Sequence, residues 1–505
     1  MDELRKRLSE VYYLSSILNL LNWDQEVNMP HRGSGPRSIS IAHLSGIVHN
    51  KFVALDKGGV LTNLKRQLDA KKLKGKDAVI VYETWRSFDR ERKLPEKFVR
   101  EMAEITSKAQ NKWAEAREKN DFSLFLPWLK KIVSLKRKEA ELVGYTDSPY
   151  DALLDAYEPD MTSKEVSRIL DDLKDFLVPF LKRIKESKIK IDDRKLSGHF
   201  PIEKQVEFNE MIARKMGFDL ESGRLDKSTH PFTSGFHPND VRITTRYSEK
   251  DIFYSIGSTI HESGHALYDQ GLPEEHFGTP LAESVSLGIH ESQSRLWENN
   301  VGKDKPFWKY FYPKLQKEFP KPFKSIPTEA FYKAINAVKP SLIRTQADEV
   351  TYNLHIIIRF EIEKEMIEGS IDLAKLPEIW CFKMKKYLGI DVPTDKEGVL
   401  QDVHWSAGLI GYFPTYSLGN LYAAQLYATM NKQIPRLSNK IAGGHMEEVK
   451  NWLRKNVHIH GKTYSAQELI RKITGEYLNS RYFNEYLEKK YGEIYKLEKL
   501  TRKSR

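Results

Sequence analysis

Cysteine is almost missing from this chain: there is one, Cys381, in 505 residues. One thiol forms no internal disulfide, which excludes a disulfide-stapled secreted scaffold and points to a reducing cytoplasm. Cys381 lies in the apolar stretch EIWCFKM, where a buried filler is its expected role. Long apolar runs are also missing. No eighteen consecutive apolar residues occur, so no membrane span is expected. The opening MDELRKRLSEVYYL is a charged amphipathic helix without the apolar core of a signal peptide. Charge of one sign is not concentrated either. The 81 Lys and Arg against 70 Asp and Glu leave +11, but the signs are interleaved, as over Arg100–Asn120. Only Leu68–Asp77 and the tail Lys496–Arg505 are locally basic. These read as solvated faces with weak steering of anionic substrates, and no nucleic-acid partner is expected. What remains is 40% hydrophobic and 30% charged, a globular composition, and its wealth of Lys, Glu and Arg suits a heat-stable protein.

Residues 1 to about 185 carry a helical period almost throughout, with Thr162 and Glu165 placed as a capping box. From Phe218 to Asp240 the text is rich in turns, interrupted by Gly223, Pro231, Gly235 and Pro238. VRITTRY, Val241–Tyr247, then alternates as the best strand in the chain. It either packs the following helix or pairs by its edge with an extended peptide.

That following helix, Ser248–Gly271, carries His261-Glu262-Ser263-Gly264-His265, the pattern H-E-x-x-H. Four residues are about 400° of helix, so both imidazoles share one face and can hold one divalent cation. Glu262 is then placed to take a proton from a water activated by that cation. Ser248 with Asp251 predicts the start, Ile252, Ile256 and Ile260 form the apolar stripe, and Gly271-Leu272-Pro273 ends it. Gly264 costs the helix about 1 kcal/mol against alanine, which asks for a reason such as close approach of another backbone.

A second helix is predicted from Thr279-Pro280 through Asn300 and offers two third ligands, Glu283 and Glu291. About 80° and roughly 12 Å apart on one helix, they cannot both serve one ion. Ser284, Gly288 and Ser292 let this helix press on the Gly264 side of the first, which favours Glu291; an exposed carboxylate is the plain alternative for either. A long helix is predicted from Ser341, with Arg344 and Asp348 as an i, i+4 pair that is either a surface salt bridge or an arginine held to fork a carboxylate. Further on, Gly398, Gly408, Gly411 and Gly419 alternate with His404, Trp405, Tyr412 and Tyr416, as backbone packed round a pocket would.

Six short motifs occur in order: His230-Pro231-Phe232, Asp240 to Thr244, HESGH, His290 to Gln293, Ile343 to Asp348, and Gly398 to Trp405. In these the chain resembles, over its full length, the thermostable zinc/cobalt metallocarboxypeptidases of the Taq and Pfu type. The resemblance implies a mainly α fold, two-lobed with a deep central groove and a small β-sheet beside the active site, similar to neurolysin and angiotensin-converting enzyme. Residues 1–505 would form one such domain, with an active-site core at roughly 230–420, usually as a homodimer. The implied activity is release of single residues from peptides with a free C-terminal carboxylate, with broad specificity and poor action next to proline. One ion per chain, Zn2+ or Co2+, would sit on His261, His265 and Glu291, with Glu262 as base. Asp240 and Arg242 would close the groove beyond the last residue. Arg344 would bind the substrate carboxylate, and His404 and Tyr416 would hold the developing oxyanion. Two rivals are a helical zinc endopeptidase, which needs no free carboxylate, and a nucleic-acid-binding protein with a structural metal. The latter fits poorly, because structural zinc sites are closed and usually rich in cysteine.

Overall fold

The structure, a computed structural model, describes residues 1–498. Residues 499–505, most of the basic tail, lie outside the described residues. The chain divides into two compact units, each drawn from three stretches of sequence. Among the described residues no helix is long and apolar enough to cross a membrane.

The first unit comprises Met1–Arg92, Arg194–Tyr332 and Leu426–Tyr477. It opens with helices Asp2–Val27, Ser34–Val53, Val60–Asp69 and Gly75–Arg92. Leu4, Leu8, Leu55, Leu61, Ile80, Val81 and Leu281 close their shared core. The only sheet among the described residues follows: β1 (Gly223–Lys227), β2 (Thr233–His237) and β3 (Asp240–Thr245). Its order is β1-β3-β2, with β1 parallel and β2 antiparallel to β3. VRITTRY therefore supplies the central strand. Both of its edges are already paired, so edge addition of a peptide to it is corrected: the free edges belong to β1 and β2. Val241 and Ile243 bury against Ala213, Phe218 and Ala266, which seats the sheet on the helix Ile252–Asp269.

That helix starts later than Ser248. Its cap is Asp251, whose Oδ1 accepts from the backbone N–H of Phe253 and Tyr254. Ser248 instead belongs to the turn leaving β3, its carbonyl held by Gln205 Nε2 at 2.9 Å. The helix predicted from Thr279 is also broken. A 3-10 turn spans Pro280–Ala282, Glu283 is extended, and Ser286 caps Leu287–Arg295, which runs on as a π-helical turn, Leu296–Val301. The interruption turns Glu283 toward Tyr12 and Lys462, both of which donate to its carboxylate.

The second unit comprises Lys93–Asp193, Lys333–Gln425 and the chain from Leu478. Thr162 and Glu165 form the predicted capping box at the start of Ser163–Glu186. Cys381 is half-buried rather than buried, on the helix Leu376–Leu388. The helix predicted from Ser341 begins only at Tyr352 and ends at Glu368. Asp348 is the reason: its Oδ1 accepts from the N–H groups of Val350 and Thr351, a local turn that competes with helix. The segment before it carries Arg344 in a 3-10 turn, Arg344–Gln346.

Candidate metal centre

Two helices of the first unit build the centre. His261 and His265 come from Ile252–Asp269, and Glu291 from Leu287–Arg295. Gly264 lets the helices touch: a Cβ there would stand 2.6 Å from Cα of Ser294 and 2.8 Å from the carbonyl oxygen of Gln293. The close approach is thus to Gln293 and Ser294, one residue beyond the small face around Glu291.

One ligand atom from each of His261, His265 and Glu291 lies within 4.8 Å of the others. Glu291 Oε2 stands 3.6 Å from Nε2 of His265 and 4.0 Å from Nε2 of His261. These gaps are too long for hydrogen bonds. They are near the separation of roughly 3.4 Å that tetrahedral ligands about 2.1 Å from one ion would show. The surroundings fit an ion as well. Nδ1 of His261 meets Glu298 Oε2 at 2.8 Å, which fixes the tautomer that leaves the Nε2 lone pair free. Arg295 donates to Glu291 Oε1 at 2.7 Å, leaving Oε2, and to Glu298 at 3.1 Å. The ring of His290 stacks on His265 at 4.4 Å and is anchored to Asp269 at 3.0 Å. Two neutral imidazoles and one carboxylate form a donor set that suits zinc or cobalt.

Charge is tuned by burial and neighbours. Burial raises the pKa of Glu262, an effect partly offset by His261 and by the Thr233 hydroxyl, which donates to Oε2 at 2.6 Å. For His261 burial acts downward, but Glu298 and Glu291 outweigh it and raise its pKa; a cation on Nε2 would take the place of that proton. His265 is held well below the usual range by burial, with His290 and His261 adding to the effect. Glu298 is pressed upward by burial but pulled well below the carboxylate range by Lys303, Arg295 and His261.

A family model described as carboxypeptidase Taq (M32) metallopeptidase matches residues 3–491. The chain belongs to that family. Carboxypeptidase 1 of Bacillus subtilis is 41% identical over 495 residues, spanning 98% of this chain and 98% of that protein. Thermostable carboxypeptidase 1 of Pyrococcus furiosus is 40% identical over 505 residues, spanning 97% and 98%. A crystal structure of an M32 carboxypeptidase from Deinococcus radiodurans matches with TM-score 0.93 at 36% identity, over 98% of this chain and 99% of that one. The M32 protein described here is therefore a mainly α metallocarboxypeptidase, a peptide hydrolase that works with a divalent metal. Its substrates are peptides. The endopeptidase and structural-metal readings fall with this membership.

The remaining predicted residues of the carboxypeptidase stand as follows. Glu283 is not among the clustered ligands. Asp240 and Arg242 grip each other through two bonds of 2.8 and 3.0 Å, with the guanidinium 4.3 Å from the Trp23 ring. In the second unit, Arg344 does not pair with Asp348. Its Nε and Nη2 donate to Asp402 Oδ1 at 3.1 and 2.9 Å, and Nη1 donates to the Tyr352 hydroxyl at 3.2 Å. Asp402, which accepts two N–H bonds from Arg344 on one oxygen, wins over the local partner because Asp348 is spent on backbone N–H groups. His404 Nε2 lies 3.4 Å from the Tyr416 hydroxyl, and burial lowers the His404 pKa to about 4 despite Asp402. Sequence reading passed over Thr233, Glu298, Arg295, Asp402 and Arg359. Arg295 and Glu298 had a signal: they follow Glu291 by four and seven residues, on one helical face.

Proposed function

We propose that this M32 carboxypeptidase releases single amino acids from peptide C-termini with broad specificity, with Glu262 as general base. One ion, Zn2+ or Co2+, is assigned to His261, His265 and Glu291. The observation that carries the reading is the clustering of these three ligand atoms beside Glu262, whose Oε2 is held by Thr233 while Oε1 takes no protein donor among the described residues.

When bound, the cation supplies a Lewis acid that polarises the scissile carbonyl and acidifies the attacking water. Glu262 takes a proton from that water at Oε1 and later releases it to the departing amine nitrogen. Thr233 fixes the rotation of the Glu262 carboxylate. Glu298 keeps His261 in its ligating tautomer, and Arg295 turns Glu291 so that Oε2 faces the ligands. Arg344 is assigned to the substrate's terminal carboxylate, which its planar fork matches. His404 and Tyr416 are assigned as donors to the carbonyl oxygen as charge develops there. Neutral His404 and the Tyr416 hydroxyl both carry a proton to donate. Asp240 and Arg242 are assigned to closing the site beyond the released residue.

The whole chain acts as one catalytic domain in this reading, as a homodimer in the cytoplasm. The single cysteine supports that compartment. Heat stability is supported by the Lys- and Glu-rich composition and by relatives named thermostable.

The test is amino-acid release from one peptide prepared with a free and with an amidated C-terminus, with and without chelator. Chelator-sensitive, stepwise release from the free acid alone is expected. Internal cleavage of both forms would overturn the exopeptidase reading and remove Arg344 from its role.

A further inference from the structure

Arg359 lies in the middle of the helix Tyr352–Glu368 and is 0% exposed. Its guanidinium stacks between the rings of Trp380, at 4.6 Å, and Phe413, at 5.5 Å. It donates to the carbonyl of His355 at 2.7 Å, to Gln401 Oε1 at 2.8 Å and to Asp402 Oδ2 at 2.7 Å. The other oxygen of Asp402, Oδ1, serves Arg344. One part-buried carboxylate is therefore shared by two buried guanidinium groups.

The contact group of Arg344, Arg359 and Asp402 carries two positive charges and one negative, so +1 remains. Among the described residues no second carboxylate hydrogen-bonds to either arginine, and Glu363 acts on Arg359 only through space. Burial holds His355 and His404 neutral, with pKa values of about 3 and about 4. Glu363, one turn beyond Arg359, gives its carboxyl to Tyr150, Trp405 and the N–H of Gly411 instead. Placing Arg344 would need only Asp402, and that pair alone would be neutral. A second arginine makes the group cationic at a desolvation cost, which an anionic ligand on Arg344 would offset.

We propose that Arg359 is a positioning residue of the carboxylate clamp: by occupying Oδ2 of Asp402 it leaves Arg344 with uncompensated charge for the substrate's C-terminal carboxylate. The inference rests on the assignment of Arg344 to that carboxylate. It follows that Arg359 tunes substrate binding without touching substrate.

The test compares steady-state kinetics on one free-acid peptide, using metal-loaded wild type, Arg359→Met, Arg359→Lys, Arg344→Met and the double variant Arg359→Met/Asp402→Asn. Arg359→Met, which keeps bulk between the two rings, is expected to raise KM about tenfold or more with kcat within about threefold. The double variant restores +1 on Arg344 and is expected to bring KM back to within about threefold of wild type. Arg359→Lys keeps the charge and is expected to stay near wild type. A residue that only filled space would not be rescued by removing a second buried group. An unrescued double variant, or a lysine variant as impaired as the methionine one, would overturn the proposal. If Arg359→Met fails to fold, those two variants still decide it. If Arg344→Met raises KM while Arg359→Met does not, this inference alone fails; if Arg344→Met leaves KM unchanged, the underlying assignment fails.

Discussion

Replacing Gly264 with alanine sets two effects of opposite sign against each other. On propensity alone Gly264→Ala stabilises the helix by about 1 kcal/mol. The added Cβ, however, would lie 2.6 Å from Ser294 Cα, 2.8 Å from Gln293 O and 3.0 Å from Ser294 N. All three are backbone atoms of the neighbouring helix, so no side chain can swing away. Carbon contacts need roughly 3.5 Å, so the helices must part by about 1 Å. Overpacking of this kind costs about 1–3 kcal/mol, which leaves a net loss of about 0–2 kcal/mol. The metal should feel it more. His265 follows Gly264 directly, and Glu291 lies three residues before Ser294. The same movement widens the 3.6 Å gap between their ligand atoms. Ligand bonds near 2.1 Å tolerate little of that, so metal affinity should fall at least about tenfold. Competition against a chromophoric chelator measures the affinity, and melting with and without chelator measures the metal's share of stability. A variant that melts higher than wild type and binds zinc with unchanged affinity would refute the reasoning.

Three further outcomes are expected. Glu262→Gln should keep the metal, since Glu262 lies outside the cluster of His261, His265 and Glu291, yet lose nearly all turnover; residual activity above about a tenth of wild type would remove Glu262 as base. Glu298→Ala should weaken metal binding by about 10- to 100-fold by freeing the His261 tautomer, while kcat at saturating metal is largely kept; wild-type affinity in a zinc titration would exclude that role. Burial raises Glu363 from 4.5 to about 7, against the pull of Gly411, Tyr150 and Trp405. Because the folded pKa lies above the unfolded one, the native state holds the extra proton between them. This contribution is therefore greatest below about pH 4.5 and is lost as pH rises to about 7, by about 3 kcal/mol. Urea midpoints at pH 5 and pH 8 should show the loss, and an unchanged slope in Glu363→Gln would assign it to another group.

Features set by short-range rules were the legible ones. The helix bearing His261 and His265 could be read because its stripe, its stop and its two imidazoles all obey one period. The strand beside it alternates over Asp240–Ile243, after which Thr244 and Thr245 are both buried. Thr162 and Glu165 cap as their spacing predicts. Gly264 could be read as a contact point because a glycine inside an otherwise good helix is a cost without local benefit. The partner backbone could not be named, since Ser284, Gly288, Ser292 and Ser294 are all small and spacing alone does not choose among them. Sheet order was beyond reach for a related reason. Alternation tells which face of β3 is buried, but not that strands on both sides already occupy its edges.

The misread helix boundaries share a cause that energies make plain. An exposed i, i+4 ion pair is worth about 0.3–0.5 kcal/mol, so proximity in sequence is a weak claim on a charged side chain. Asp348 gains more by accepting three backbone N–H groups, from Lys339, Val350 and Thr351, and the helix gives way to that turn. Arg344, released from its sequence neighbour, takes Asp402 across 58 residues. Thr233 reaches Glu262 across 29 residues, and His290 reaches Asp269 across 21. For Arg344 and Glu262 the chosen partner is the one that satisfies a buried polar group, because leaving such a group unmade costs more than any local pairing returns. Candidate ligands on one helical face can therefore be picked out by spacing, whereas the groups that would orient them follow from what the fold buries. For Glu298 the two criteria coincide: it lies seven residues past Glu291 and is also the part-buried partner of His261 Nδ1.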